Sequence, residues 1–325
     1  MKRIEWLDVM KGVAILFVVL GHVFNSMGLF SHPLNRWLHL FHMPFFFMLS
    51  GFLAINTNKR KQYENIKNKF LKLMIPFFVG GIFYSLTIGS LDDFIYDMHH
   101  CGYWFLLSLF TCWIIFLPLS SITRSYNFFI KIIILFTPFF FGNIIMDIIP
   151  KSISDILSFP LSFSYYRFFI LGYLLGIFFF SQNIKERIKR YISYNVIFML
   201  SFIVFFGYSI IILKKYDYVS SIPTTIIQIL LCCSLFFTLF HSERLINKRF
   251  FALLNILGKN SLAIYIFHFY FVYQFPIYFS NEISYGIQTL VALALTSIVL
   301  LFTLFISNFF KNNPILALLF LGKNK

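Results

Sequence analysis

The stretch KGVAILFVVLGH, residues 11–22, begins with a cation and ends with an imidazole, and the ten residues between them are apolar or glycine. It lies within a longer apolar run, 9–29, and a helix needs about 20 such residues to cross the hydrocarbon core of a bilayer. The run has no small-residue cleavage site and continues past Phe24, so we do not interpret it as a signal peptide. The stretch therefore predicts a membrane-spanning helix with an ionisable group at each of two depths.

The composition of the whole chain agrees with a membrane protein. Of its 325 residues, 59% are hydrophobic, 48 are Phe and only 12% are charged, which leaves too little polar surface for a soluble domain. Nine further stretches have the length and hydropathy of a span, near 37–56, 74–91, 102–121, 128–147, 164–181, 194–213, 220–240, 261–279 and 286–309. We predict an all-α, polytopic integral membrane protein with ten transmembrane helices in a single domain, residues 1–325, embedded in the lipid bilayer.

The distribution of charge predicts the topology. The formal net charge is +15, but no basic patch lies in a soluble module, so no nucleic-acid partner is predicted. With a cytoplasmic N-terminus, all the Lys and Arg residues fall inside except Arg36, Lys151, Arg167, Lys214 and Lys215. We therefore predict that both termini are cytoplasmic. Part of the basic charge could also attract a polyanionic cytoplasmic ligand.

Metal-binding residue types occur in the chain, but none has the spacing of a ligand set. The four cysteines lie mostly in apolar runs and are interpreted as packing residues. The predicted outer loop LDDFIYDMHHCGYW, residues 91–104, places its Asp and His residues side by side, which defines no ligand geometry. Arg36, His39 and His42 recur every three residues, but a site built from them would lack a third good ligand. We predict no metal ion.

The spacing of Lys11 and His22 has a geometric meaning. Eleven positions at 3.6 residues per turn make three turns and about 20°, so both lie on one helix face, about 16 Å apart along the axis. Asp8, three residues before Lys11, can pair with it at the cytoplasmic boundary. Lys11 could instead be an ordinary cation that reaches to the headgroups. At membrane depth, His22 should face a polar cavity or a protein partner, with a structural hydrogen bond as the alternative, and His39 is expected away from this face.

Five motifs carry a resemblance to a known family. They are RIEWLDVMKGVAILFVVLGHVF (3–24), FHMPFFFMLSGFLA (41–54), KFLKLMIPF (69–77), YWFLLSLF (103–110) and LGKNSLAIYIFH (257–268). The first resembles the opening helix of membrane-bound acyltransferase family 3, which joins an Arg or Lys to a His. The others are similar, in family order, to its second, third, fourth and penultimate helices. Ten helices is the usual family count, and this sequence departs in having Lys at position 11, where Arg is commoner.

The resemblance implies transfer of an acyl group, usually acetyl, from cytoplasmic acyl-CoA to a sugar hydroxyl of a cell-surface polysaccharide or its lipid-linked precursor. Acetyl-CoA is then a co-substrate, and no permanently bound cofactor is implied. Within this hypothesis His22 is the general base, supported by Lys11 and Asp8, and a covalent acyl-imidazole is the open alternative. Lys11, Lys69 and Lys72 would hold the CoA phosphates, although Lys69 and Lys72 could also be anchors that only set topology.

Other polar residues could face the acceptor glycan. His42 lies in the second-helix motif, and Arg167 follows two tyrosines that aromatic-belt anchoring would explain. Ser261, Tyr265 and His268 form one polar stripe on a Phe-rich helix, for which helix–helix hydrogen bonding is the alternative. We predict these five residues on the acceptor side.

Two other functions fit the same hydropathy. A transporter or flippase for a polysaccharide precursor would also have ten helices and a polar cavity. A structural partner in a polysaccharide-assembling complex would not explain an aligned Lys11 and His22. The acyltransferase remains the leading hypothesis, and it predicts a multi-pass protein of a bacterial inner membrane.

Overall fold

The computed structural model describes residues 4–55, 62–180, 194–214, 224–242, 247–273 and 283–322. Over these ranges the chain forms helices joined by turns, with no strand among them, so the predicted all-α class is confirmed. The helices are α1 Glu5–Ser26, α2 Pro33–Ala54, α3 Gln62–Lys69, α4 Ile75–Thr87, α5 Leu91–Tyr96, α6 Trp104–Ile122, α7 Phe128–Ile148, α8 Lys151–Ile156, α9 Phe159–Phe180, α10 Tyr194–Lys214, α11 Thr224–Ser242, α12 Lys248–Lys259, α13 Ser261–Val272, α14 Tyr285–Lys311 and α15 Pro314–Leu321.

Seven helical stretches of the described chain are long and apolar enough to cross a membrane. They are Glu5–Ser26, Pro33–Ala54, Gln62–Thr87, Trp104–Ser125, Phe128–Ile148, Phe159–Phe180 and Tyr285–Lys311. The pair α12 and α13 makes an eighth if it is one span, although the chain bends by 81° between the two helices. Shorter apolar helical stretches, Met199–Ile211 and Thr224–Phe240, lie at two further predicted positions. The protein is a multi-pass membrane protein by these helices, while ten spans and cytoplasmic termini stay predictions.

Several helices begin earlier than hydropathy predicts. α1 starts at Glu5 rather than at residue 9, and the third membrane-length stretch starts at Gln62 rather than at 74. Hydropathy marks only the part of a helix that crosses hydrocarbon, and polar turns can extend the same helix into water. Helix α12 was not predicted at all. Residues 56, 181, 220–223 and 274–279, which belong to four predicted spans, lie outside the described residues.

The described chain divides into two compact units. The first comprises Met1–Leu49 and Ile177–Phe305, and the second comprises Ser50–Gly176 and Ile306–Lys325. Each unit is assembled from stretches that are distant in the sequence. The organisation as a single domain stays a prediction.

In the first unit, two glycines bring α12 against the first half of α1. A Cβ added at Gly12 would overlap the carbonyl oxygen of Leu254, and a Cβ added at Gly258 would overlap the carbonyl oxygen of Asp8. The two backbones are therefore in direct contact, which a residue with a side chain would prevent. After the 81° bend, α13 packs against the second half of α1, where the ring of Phe269 lies 4.8 Å from that of His22.

In the second unit, α9 packs closely on the last turns of α2. Added Cβ atoms at Gly51 and Gly176 would overlap or crowd the carbonyl oxygens of Phe169 and Phe52. Between α3 and α4 the helix makes one π-helical turn, Phe70–Met74. Such turns are rare and carry one residue more than an α-helical turn.

The turn between α1 and α2 is held by His32, which is buried in the first unit. Its Nδ1 accepts a hydrogen bond from the Leu34 amide at 3.2 Å, and its Nε2 donates to the Tyr285 carbonyl at 3.4 Å. The ring stacks on Phe24 with 4.6 Å between centroids. Burial lowers the pKa of His32, and the bond to the Tyr285 carbonyl offsets part of that shift. His32 thus acts as a neutral N-cap of α2.

We expect the melting temperature of the detergent-solubilised protein to fall with pH below about 6.5, in part through His32. The unfolded imidazole binds a proton near that pH, whereas the folded imidazole binds one only at lower pH. The stability contribution is therefore complete above the ordinary pKa and is lost as the pH falls. His32→Asn keeps a capping oxygen without a titrating ring and should flatten the slope. An equal slope in both proteins would contradict the prediction.

Candidate active site

Helix α1 presents an ion pair near its first turn. Lys11 Nζ lies 3.7 Å from Asp8 Oδ1, which confirms the predicted pairing of these two residues. Asp8 is buried, whereas the Lys11 side chain is 25% exposed. Asp8 and Glu5 also lie where the helix N-terminus favours negative charge. The pair therefore holds the Lys11 ammonium at an accessible end of α1.

Three turns further along α1, His22 lies among other imidazoles. Its ring centroid is 5.1 Å from that of His268 on α13. His42 and His39 of α2 also lie near enough to interact with it electrostatically, and their own rings are 5.0 Å apart. The first unit thus gathers His22, His39, His42 and His268 into one cluster, which we call the histidine cluster. No group of three His, Cys, Asp or Glu in the described ranges could hold a metal ion.

Three of these four rings are fixed by their own helices. Nδ1 of His42 donates to the Leu38 carbonyl at 2.6 Å, and Nδ1 of His39 donates to the Asn35 carbonyl at 2.9 Å. Nδ1 of His268 donates at 2.7 Å to the Tyr265 carbonyl. Because a carbonyl only accepts, Nδ1 is the donor in each of these rings, and the neutral form of such a ring has its lone pair on Nε2.

His22 is the exception within the histidine cluster. Its Nδ1 is buried and has no hydrogen-bond partner among the described residues, and the same is true of Nε2 of His268. Buried polar atoms are almost always hydrogen-bonded in native proteins, so each of these two nitrogens needs a partner such as a substrate, a water molecule or an ion. No bond therefore fixes the tautomer of His22 from within the described chain.

A family model matches nearly the whole length of the chain. The model of acyltransferase family 3, described as an acyltransferase domain, matches residues 4–308. The chain belongs to acyltransferase family 3. The match includes α1 and nearly all of α14, so every residue singled out above lies within it.

Two curated relatives of this family member are both named Nodulation protein NolL. The protein from Sinorhizobium fredii is 27% identical over 214 residues, which is 60% of this chain and 53% of the relative. The protein from Mesorhizobium japonicum is 24% identical over 189 residues, 52% of this chain and 47% of the relative. The chain therefore spans about half the length of the curated relatives it matches. No solved structure matches it.

Within this family 3 chain, the residues predicted on the acceptor side are only partly brought together. His42 and His268 belong to the histidine cluster, and the Tyr265 ring lies 5.9 Å from that of His268. Ser261 is the first residue of α13, about two turns before His268. Their roles toward a glycan stay predictions.

The sequence predicts that His39 lies away from the face of α1 that carries Lys11 and His22, and this prediction is wrong. Its ring lies against Gly21, where an added Cβ would be 3.2 Å from it, and its Nε2 accepts from the Asn25 amide at 3.4 Å. The missing side chain at Gly21 creates the space that the ring fills. The sequence contained one signal for this contact of His39 with α1. Gly21 and Asn25, one small and one polar residue, lie four positions apart on α1 and so share a face.

Lys69 and Lys72 lie in the second unit and differ in their surroundings. Lys69 Nζ lies 3.5 Å from the centre of the Trp113 ring, a cation–π contact with α6. Lys72 is exposed within the π-helical turn, and Gly322 packs closely on its backbone. The two lysines therefore do not have equivalent environments, and their predicted contact with CoA phosphates stays a prediction.

Arg167 also lies in the second unit, on α9. Its guanidinium is 5.4 Å from the centre of the Phe139 ring of α7 and 5.0 Å from that of Phe168. It lines a polar cavity between α7 and α9. This placement does not bear on the predicted acceptor role by itself.

Proposed function

We propose that the protein transfers an acyl group, in the first instance acetyl, from cytoplasmic acyl-CoA to a sugar hydroxyl of a cell-surface polysaccharide or its lipid-linked precursor. Membership of acyltransferase family 3 supports the acyl transfer. Its helices of membrane-spanning length support a multi-pass protein, which we place in a bacterial inner membrane. In that setting a cytoplasmic donor and an outer acceptor can meet within one chain.

One observation carries this proposal: the unpaired Nδ1 of His22 beside the unpaired Nε2 of His268. A general base must have a lone pair that can reach the proton it removes. His39, His42 and His268 each have Nδ1 committed to a carbonyl of their own helix, whereas His22 has no such bond in the described chain. A lone pair is also present on Nε2 of the other three rings, and what distinguishes His22 is its position on α1, on the helix face that carries Lys11.

The proposed reaction balances at His22. A nitrogen of His22 takes the proton from the sugar hydroxyl as the hydroxyl oxygen attacks the thioester carbonyl carbon. The new C–O bond forms, the C–S bond breaks, and the CoA sulfur leaves with the proton that His22 returns. The products are a sugar ester and free CoA thiol, and His22 ends as it began.

In this proposal, Lys11 binds the acyl-CoA donor on the same helix as His22. Its ammonium is accessible and oriented by Asp8, about 16 Å from His22 along the axis of α1. Coenzyme A is a phosphate-rich head on a long thin arm, so a cation at the predicted cytoplasmic boundary could hold the head while the thioester reaches His22. Fixed cations are the usual partners of phosphate groups.

The test is release of CoA that depends on the acceptor. Purified protein in detergent receives acetyl-CoA with or without polysaccharide from its host, and free CoA and polysaccharide-bound acetyl are measured by chromatography and mass analysis. We expect both products only when the polysaccharide is present. A transporter or flippase would form neither, and that result would overturn the proposal.

Lys11→Ala should weaken acyl-CoA binding by about tenfold or more, the loss expected when a hydrogen bond to a charged group is removed. Lys11→Arg should bind nearly as well, because a cation remains. Lys248→Ala removes an exposed cation from α12 and serves as the matched control. Acyl-CoA affinity is measured by calorimetry on protein of equal melting temperature. Equal affinity in Lys11→Ala and Lys248→Ala would leave Lys11 as a topology signal only.

A further inference from the structure

A second polar site lies in the second unit, apart from the residues of the histidine cluster. A cavity of about 420 Å³ opens between α7 and α9, within the size range of small-molecule sites. Asn143 and Asp147 line it from α7, and Ser164 and Arg167 line it from α9. The predicted topology places these ends of the two helices on the outer side of the membrane.

The polar lining forms one face of α7 at its outer end. The opposite face of α7 exposes large apolar side chains such as Phe140, Phe141, Ile144 and Ile148, as a lipid-facing helix does. Asn143 and Asp147, four residues apart, share the face that lines the cavity. Both side chains are exposed, and Asp147 lies in the last turn of α7, where polar groups cost less than they do deep in a span. This face of α7 is therefore open to a polar ligand on the predicted outer side.

The chemistry of the lining selects the class of ligand. Arg167 and Asp147 bring one positive and one negative group to the same cavity, so a phosphate would meet the carboxylate and a cation would meet the guanidinium. A neutral polyol can use both, because its hydroxyls donate to carboxylate oxygens and accept from guanidinium N–H groups. Phe139 and Phe163 add apolar surface suited to the C–H face of a sugar ring.

We propose that the cavity between α7 and α9 binds a neutral sugar unit, and that Asp147 and Arg167 hold its hydroxyls. The assignment of this sugar to the acceptor glycan rests on the proposed function, whereas the binding itself does not. The cavity would thus recognise the glycan at residues other than those that carry out the transfer.

The experiment measures sugar binding without any acyl donor. The probes are methyl glycosides of neutral hexoses, deoxyhexoses and N-acetylhexosamines, and the readout is saturation-transfer NMR on the full chain in nanodiscs. We expect saturation transfer to at least one of these probes. Asp147→Asn removes a charged acceptor, and Arg167→Lys replaces the planar guanidinium fork by a single ammonium, so each should raise the dissociation constant by about tenfold or more. Thr137→Val, on α7 but outside the cavity lining, is the matched control and should bind as the wild type does.

Two results would overturn the sugar site. If no probe shows saturation transfer, or if Asp147→Asn, Arg167→Lys and Thr137→Val all show equal saturation transfer, the cavity holds no sugar. Stronger retention of phosphatidylglycerol by Asp147→Asn, without sugar binding, would identify an anionic headgroup as the ligand. If Asp147→Asn does not fold, Ser164→Ala replaces it. Sugar binding without acetyl transfer would refute the proposed function and leave the sugar site standing.

Discussion

His22→Gln is expected to reduce acyl transfer by about 10²–10⁴-fold, the range that a general base contributes. Glutamine keeps a polar side chain that can form a hydrogen bond, but it cannot take a proton. The variant should insert normally and bind acyl-CoA, because Lys11 and Asp8 lie three turns away. Acetyl groups on the surface polysaccharide are measured at matched membrane abundance, together with CoA release by the purified variant.

Variants of two further histidines serve as comparisons for His22→Gln. His99→Gln is the control, since His99 is exposed and contacts Asp97 at 3.2 Å in the second unit, and its transfer should be unchanged. His39→Gln should cost less than His22→Gln, because His39 already has partners at both ring nitrogens. Near-normal transfer by His22→Gln would return His22 to a structural role and remove the observation on which the proposed chemistry depends.

Gly258→Ala is expected to lower the melting temperature strongly and to abolish most transfer. The added methyl would overlap the Asp8 carbonyl, and a backbone atom cannot rotate away as a side chain can. Overpacking costs about 1–3 kcal/mol in ordinary cores, and this site should lie at or above the upper end. Separation of α12 from α1 would also displace the Asp8 and Lys11 pair. Melting temperature in detergent and acyl-CoA affinity are the measurements.

The matched control is Gly207→Ala on α10, where an added Cβ meets nothing within 4 Å. The chemical change is the same, and alanine favours a helix over glycine by about 0.5–1 kcal/mol. Gly207→Ala should therefore be neutral or slightly stabilising. Equal melting temperatures for Gly258→Ala and Gly207→Ala would mean that the close approach of α1 and α12 does not determine stability.

The sequence alone predicts much of α1, because its signals are local. The apolar run sets the helix, the spacing of Asp8 and Lys11 sets their ion pair, and the isolated position of His22 in apolar surroundings marks it for function. The positions of most membrane-length helices along the rest of the chain follow from hydropathy in the same way, whereas that of α12 does not. These features depend on neighbours within a few turns.

The histidine cluster and the packing of α12 could not be predicted in this way, because they depend on residues far apart in the chain. Gly12 and Gly258 are separated by 246 positions, and a glycine in an apolar run looks like any tolerated small residue. In contrast, Asn143 and Asp147 carried a readable signal, because two polar residues four apart in an apolar helix indicate one polar face.

The π-helical turn at Phe70–Met74 has a consequence for how insertions and deletions act on this chain. In a regular helix, removal of one residue rotates everything beyond it by about 100° about the axis. A π-helical turn already contains one additional residue, so a deletion there would restore an ordinary α-helix and keep α3 and α4 in their present rotational register. The same deletion in the regular turns of α3 would rotate Phe77 and Gly81 away from the surfaces they now face. The turn thus marks the place in the third membrane-length stretch where chain length can change without a change of face.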